Sequence, residues 1–502
     1  MFTESVHRKI YLVLLTLLGG CMVTSIGMSN VVWPLLLANW VLEGRWREKW
    51  QKACESRLLH AVVVFFLLHA VGLLWTSNLP SGLHILERLL PWVAVPLVVL
   101  TTRPPEGRAR TTIFSLYVGT VFVVTVIGFV RWLTIPDLPY RDIVPFISHI
   151  RFALNVCMAI CLLVFSRQCL VVGKATQLFR FCLLAWFLAF LFLLRSYTAF
   201  AVLLVASLVV AFHLRRRWLW LAVWTVIVGV IIAFVTVEYR SYYRLSPLAK
   251  EPLPELTANG RLYQHRQDGL VENGNYLNNY LCHDELSMAW PQRSRVPLDS
   301  LTASGYSIEA SLIRYLNALS LTKDSAGVAA LTDEQVREVE RGVANPVYVH
   351  GSPMRKMLYV MFFEYENYRC YRAVEGFSML QRFELWSAAT HIIGRHPWTG
   401  VGTGDLEQAM EDDFHATQSP LQGSRLMPHN EYLTLVAMLG IPAFVLMVLV
   451  FLRAAPRLRR QGLLLVAWTV AILVSCLTEN TLDSLAGILF STWFMAFRKE
   501  DC

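Results

Sequence analysis

Charge is scarce in this chain. Only 16% of its 502 residues are Asp, Glu, Lys or Arg, against about 25% in a typical soluble globular protein. Glycine and proline are not in excess, at 27 and 21 residues, so neither a collagen nor a low-complexity disordered chain is present. The ten cysteines include no CxxC pair and no zinc-ligand spacing, which argues against a metal centre. No internal repeat is visible, so the inverted repeats common in secondary transporters are not evident. The apolar run from Ile10, after Arg8 and Lys9, has no small-residue cleavage site behind it and reads as an uncleaved first span. What the chain does have is 55% hydrophobic residues and a mean hydropathy of +0.46. So much apolar surface cannot be hidden in a water-soluble core of this length. The expected class is an all-α polytopic membrane protein. The net charge of +9 then reads as topology, with no nucleic-acid partner.

A spanning helix needs roughly 20 mainly apolar residues. Twelve candidates follow: 10–27, 29–43, 58–76, 85–101, 112–133, 152–166, 178–195, 197–213, 218–237, 432–452, 463–478 and 484–497. With the N-terminus inside, twenty-two Lys and Arg residues fall on the inner side, among them Arg45, Arg47, Lys49, Arg103, Arg215 to Arg217 and Arg457 to Arg460. The short outer connections hold five: Arg88, Arg131, Arg141, Arg151 and Arg195. This bias places both termini in the cytoplasm. The expected domains are residues 1–237 with nine spans, a polar outer segment at 238–431, and residues 432–502 with three more spans. The outer segment is too long for a connector and carries helix signals. Thr332 and Gln335 form a capping-box pattern for a helix through Arg341 that stops at Gly342. Residues 376–394 read as a second amphipathic helix, ending at Gly394 before Pro397. Cys282 and Cys370 share this segment, and a disulfide between them is open if it faces an oxidising compartment.

Arginine beside apolar surroundings is costly and is seldom kept without a partner or a task. Arg151 opens the sixth span and Arg195 closes the seventh. They either snorkel to the interface or build a cationic pocket for phosphate, which guanidinium binds bidentately. In Gln381–Trp386, Arg382 and Trp386 lie one turn apart and share a helix face. The segment Pro397–Asp405 is glycine-rich without being a Walker or dinucleotide loop. Its glycines permit a tight turn or a close backbone approach. His429, before the tenth span, is placed to act as a base near neutral pH, or merely caps the span. Asn430 and Glu431 would orient it or bind hydroxyls. Glu479 and Asn480, with Asp483, either bind sugar hydroxyls or form a solvated turn between the last two spans.

The order R-x-x-x-W, P-x-x-G-V-G-x-G, H-N-E-Y-L and L-G-I-P stands here as Arg382–Trp386, Pro397–Gly404, His429–Leu433 and Leu439–Pro442. It resembles the O-antigen ligase and polymerase family. The motif-level likeness runs from about 376 to 445, and the twelve-span layout extends it. Residues 275–290 and 312–345 look like the enlarged loop of ligase-type members from Bacteroidetes. The resemblance implies a GT-C-like helical fold in the bacterial inner membrane, with a large, mainly helical periplasmic loop between the ninth and tenth spans. It implies a glycosyltransferase that moves a glycan from undecaprenyl diphosphate to lipid A–core oligosaccharide, without metal or nucleotide sugar. It carries diphosphate binding onto Arg382, Arg195 and Arg151, and the base onto His429. Arg88 is a further candidate with no motif around it, and Trp386, Asn430, Glu431, Glu479 and Asn480 are candidates for sugar contact or orientation. Alternatives of the same family are a polymerase and a protein O-oligosaccharyltransferase; a lipid-glycan flippase is the alternative of another class.

Overall fold

The structure is a computed structural model that describes residues 3–136, 138–166, 174–214, 216–266, 269–302, 305–372, 374, 378–460 and 462–498. It divides into two compact units, residues 1–224 with 382–502, and residues 225–381. The unit boundary near 381 differs from the boundary at 431 expected from polarity. The outer-segment residues from Arg382 onward pack with the first unit, so a change in composition does not mark the change in packing.

The apolar runs expected to span fall mainly on helices; the first, 10–27, is interrupted at Ser25 between Glu4–Thr24 and Ile26–Glu43, and the ninth, 218–237, continues past Trp224 into the second unit. Seven helices among the described residues are long and apolar enough to cross a membrane: Glu4–Thr24, Arg57–Trp75, Leu79–Thr101, Gly107–Thr134, Gln177–Leu194, Arg217–Tyr243 and Glu431–Ala455. Four more are apolar but shorter, His149–Phe165, Tyr197–Phe212, Leu463–Thr478 and Leu485–Phe497. The chain is thus a helical, multi-pass membrane protein. Leu17, Leu67, Val123 and Leu449 are among many large apolar side chains left on its surface, where lipid rather than water satisfies them. The first and last helices meet through Trp493. Its Nε1 donates to the Leu15 carbonyl at 2.8 Å, and its ring covers Gly19, where a Cβ would approach to 2.5 Å. The first basic connection holds a ten-residue helix, Trp46–Glu55, with Trp46 and Trp50 exposed one turn apart. That helix was not expected, because it is too short and too charged to register as a span.

The second unit packs Trp290, Leu312, Tyr315, Leu316, Val336 and Val339 into its own core. Both reciprocal bonds of the capping box form at Thr332 and Gln335, and the helix Asp333–Glu340 follows. The helix expected at 376–394 is observed as Ser378–Arg395. A two-stranded antiparallel ribbon joins Val271–Glu272 to Asn275–Tyr276, turned by Asn273 and Gly274 at positive φ, as a tight hairpin requires. Fully buried Glu272 receives both arms of the Arg314 guanidinium at 2.9 Å. Cys282 and Cys370 are not joined to each other, so the disulfide left open above does not form.

Candidate active site

The site grows from a short turn in the first unit. The helix Leu463–Thr478 ends where Glu479 adopts an extended backbone (φ −149°, ψ 152°). A 3₁₀ turn, Thr481–Asp483, follows, and Ser484 then caps the helix Leu485–Trp493 by accepting from the Gly487 amide. Side-chain bonds from its own helix and from the helix that begins at Glu431 pin this turn. Ser475 and Thr481 share a hydroxyl bond of 2.9 Å. Thr434 donates to Asn480 Oδ1 at 3.2 Å. The Leu482 amide donates to Glu431 Oε2 at 2.9 Å. Glu479 and Asn480 are buried, whereas Asp483 is exposed, so the solvated-turn reading holds only for the far end of the connection.

Glu479 is the centre of the cluster. Arg382, from the helix Ser378–Arg395, places an Nη 2.5 Å from Glu479 Oε1. Arg151, from the helix His149–Phe165, places Nη1 4.0 Å from Oε2. His429 Nδ1 lies 3.7 Å from the same Oε2. Arg151 is further anchored by donating to the Asn480 carbonyl at 2.6 Å and to Ser484 Oγ at 3.1 Å. Arg88, from the helix Leu79–Thr101, reaches the far end of the same turn, 2.6 Å from Asp483 Oδ1. Several donors remain over. Arg151 Nη1, Arg382 Nε, Arg88 Nε and Trp386 Nε1 are buried and find no hydrogen-bond partner among the described residues. Buried polar groups are ordinarily paired, so these donors have capacity for further acceptors.

His429 has φ +49°, a left-handed conformation uncommon outside glycine. It precedes Asn430, whose Oδ1 accepts from the Tyr432 and Leu433 amides at 3.0 and 3.1 Å and caps the helix that starts at Glu431. Asn430 and Glu431 are therefore spent on the protein's own backbone. These bonds help fix the backbone around His429 and the 479–483 turn. Among the described residues Arg195 forms no ion pair with Glu479. It is exposed, and its guanidinium lies 5.7 Å from the Tyr140 ring centroid, with Tyr140 edge-on to His149 at 5.6 Å. Sequence reasoning missed Tyr140 and Ser484. Tyr140 sits in an irregular loop without a motif, and Ser484 carries no signal beyond that of an ordinary helix cap.

Burial opposes ionisation of Glu479, but the His429 ring, Arg151 and Arg382 outweigh it and hold the carboxyl below its usual range. Asp483 is itself exposed, yet the loss of part of its water shell still raises its carboxyl despite Arg88, Arg151 and His429. The cluster thus gathers three guanidinium groups and an imidazole around a turn whose Glu479 carboxyl is held toward its ionised form.

The glycine-rich segment is a seam. Val401 and Gly402 amides donate to the Ala437 and Met438 carbonyls at 3.0 Å, and the Ile441 amide donates to Pro397 O at 2.8 Å. These bonds lie beside Gly440, whose φ of +83° breaks the helix Glu431–Arg460. A Cβ on Gly400 would fall 2.4 Å from Met438 O. Close backbone approach, rather than a free turn, is what these glycines serve. The seam ties the chain following the Arg382 helix to the helix following His429.

Residues 343–448 match the family model described as O-antigen ligase. No curated protein matches the chain. The matched window contains Arg382, Trp386, the glycine seam, His429 and the Gly440 break. Arg88, Arg151, Arg195 and Glu479 lie outside it.

Proposed function

We propose the following activity for this chain, which belongs to the O-antigen ligase and polymerase family: it is a ligase that transfers a glycan from undecaprenyl diphosphate to lipid A–core oligosaccharide. The reaction takes place at the periplasmic face of the bacterial inner membrane, with both termini cytoplasmic. The observation that carries this reading is the convergence of Arg382, Arg151 and His429 on one buried turn, with guanidinium donors left over. The description of the matched family model and the large segment before Arg382 favour the ligase over the polymerase.

The acceptor hydroxyl attacks the anomeric carbon of the glycan. The bond from that carbon to the phosphate oxygen breaks, and its electron pair leaves with the lipid diphosphate. Leaving-group charge develops where Arg382 and Arg151 present donors, with Arg88 alongside. Preorganised cations of this kind stabilise the transition state without reorganisation, and the step needs no metal ion. His429 Nδ1 faces Glu479, which leaves Nε2 to take the hydroxyl proton as general base. A single displacement inverts the anomeric centre.

The test is reconstitution in vesicles containing polyprenyl-diphosphate glycan and lipid A–core, with EDTA present and Arg382→Ala as control. Glycan appearing on the core in the native protein, and failing in the variant, supports the ligase. No transfer by the native protein overturns it. Deletion in the host separates the polymerase: loss of a ligase leaves bare core and trapped carrier-linked glycan, whereas loss of a polymerase leaves core bearing one repeat.

A further inference from the structure

An arginine pair suited to a diphosphate is already holding an anion. Glu479 Oε1 binds Arg382 at 2.5 Å, while Oε2 lies 4.0 Å from Arg151 and 3.7 Å from His429 Nδ1. The match is incomplete. One carboxylate offers two oxygens and a single charge, and Arg151 Nη1 and Arg382 Nε keep donors without acceptors among the described residues. A lipid diphosphate has more oxygens and more charge, and would satisfy those donors better. Glu479 cannot drift far to make room, because its turn is pinned through Leu482, Asn480 and Thr481. Its reach back to His429 remains.

We propose that Glu479 is an internal stand-in for the donor's diphosphate: it pairs with Arg382 and Arg151 in the empty site, yields them to phosphate oxygens when the donor enters, and then serves His429 alone. This rests on the ligase reading only in taking a lipid diphosphate as the incoming anion. No bond is made or broken; one set of ion pairs replaces another. The arginines stay oriented and shielded throughout, so little reorganisation is left for the chemical step. The cost falls on donor affinity, since each incoming phosphate must displace a carboxylate. Once released, Glu479 is a positioning residue. It holds Nδ1 of His429 and favours the protonated ring that forms as the acceptor hydroxyl is consumed.

The substitution Glu479→Gln keeps the shape and removes the charge. Around it stand Arg151 and His149 from one helix, Arg382 from a second, and Glu431 below the turn. Asp483 is at the far end of the turn, paired with Arg88. Cations then dominate the surroundings of His429, and its protonation becomes harder. Binding is measured on the purified full chain in lipid nanodiscs, with inorganic pyrophosphate and undecaprenyl diphosphate as probes. The expected result is about tenfold tighter binding in Glu479→Gln, the worth of roughly one charge-assisted hydrogen bond. Transfer is expected to slow, with the acidic limb of its pH–rate profile displaced to lower pH. Unchanged or weaker binding, or an unmoved limb, overturns the stand-in. Glu479→Asp, checked for folding by its thermal melt, keeps the charge and is expected to keep the native limb; a limb displaced as in Glu479→Gln also overturns it. If the native chain binds neither probe, it is the ligase reading that fails. Native binding with no gain in Glu479→Gln leaves that reading standing and removes only the stand-in.

Discussion

Glu431 offers a sharp test of how the site is held. Its Oε2 accepts the Leu482 amide at 2.9 Å, both residues are buried, and the turn fixed in this way carries Glu479. Glu431→Ala leaves that amide without its acceptor, at a cost of about 1–3 kcal/mol, and also opens a void. The turn then loses one of its side-chain anchors. A displacement of about 1 Å at a reacting group can cost on the order of 10²-fold in rate, so transfer by Glu431→Ala is expected to fall by about that factor. Glu431→Gln has nearly the same volume and keeps a carbonyl oxygen for the amide. It is expected to retain most of the activity and to melt within a few degrees of the native protein. The assay pairs thermal unfolding in detergent with glycan transfer in vesicles. Should Glu431→Gln prove as damaged as Glu431→Ala, the acceptor geometry is not what matters, and the reasoning from the pinned turn fails.

Four further outcomes follow from the same geometry. His429→Ala is expected to lower the transfer rate by about 10²–10⁴ while pyrophosphate still binds; an unchanged rate rejects the base. Arg382→Ala is expected to cost far more activity than Arg195→Ala, because Arg382 pairs with Glu479 whereas Arg195 is exposed beside Tyr140, and equal losses in vesicle transfer would contradict that reasoning. Gly400→Ala forces a side chain into a φ of +65° against Met438; left-handed strain of about 1–2 kcal/mol and overpacking of about 1–3 kcal/mol should appear as a lower melting temperature. The depressed Glu479 carboxyl adds stability above the ordinary carboxylate value, about 4.3, and loses it as pH falls through the folded value. The native melting temperature should therefore drop more steeply below about pH 4 than that of Glu479→Gln.

Much of this architecture was legible in the sequence because its causes are local. Apolar runs mark helices, and Thr332 with Gln335 marks a cap, since both depend on neighbours in the chain. Arg382 and His429 were found from motif order, and both lie within the matched family window. Arg151 was legible from its place at the start of a span. The hub was not. Glu479 is joined to Arg382 and Arg151 across long stretches of chain, and no spacing rule carries that information. The glycines of 400–404 offered two readings, turn or close approach, because only the packed partner at Met438 and Gly440 separates them. The boundary of the outer segment was placed by polarity, whereas packing assigns Arg382 onward to the helical unit. Arg195 shared its rarity with Arg151 but not its surroundings.

The second unit enters and leaves the first by way of two helices, departing after Trp224 and returning at Arg382. Every group assigned here to proton transfer or phosphate binding lies outside that excursion. Residues 225–381 are therefore an insertion in the coding sense: they can be exchanged in one piece, between two splice points, without altering any of the charged side chains gathered on the turn at 479–483. A chimaera carrying a foreign segment between those points would separate what this unit contributes from what the charged turn contributes.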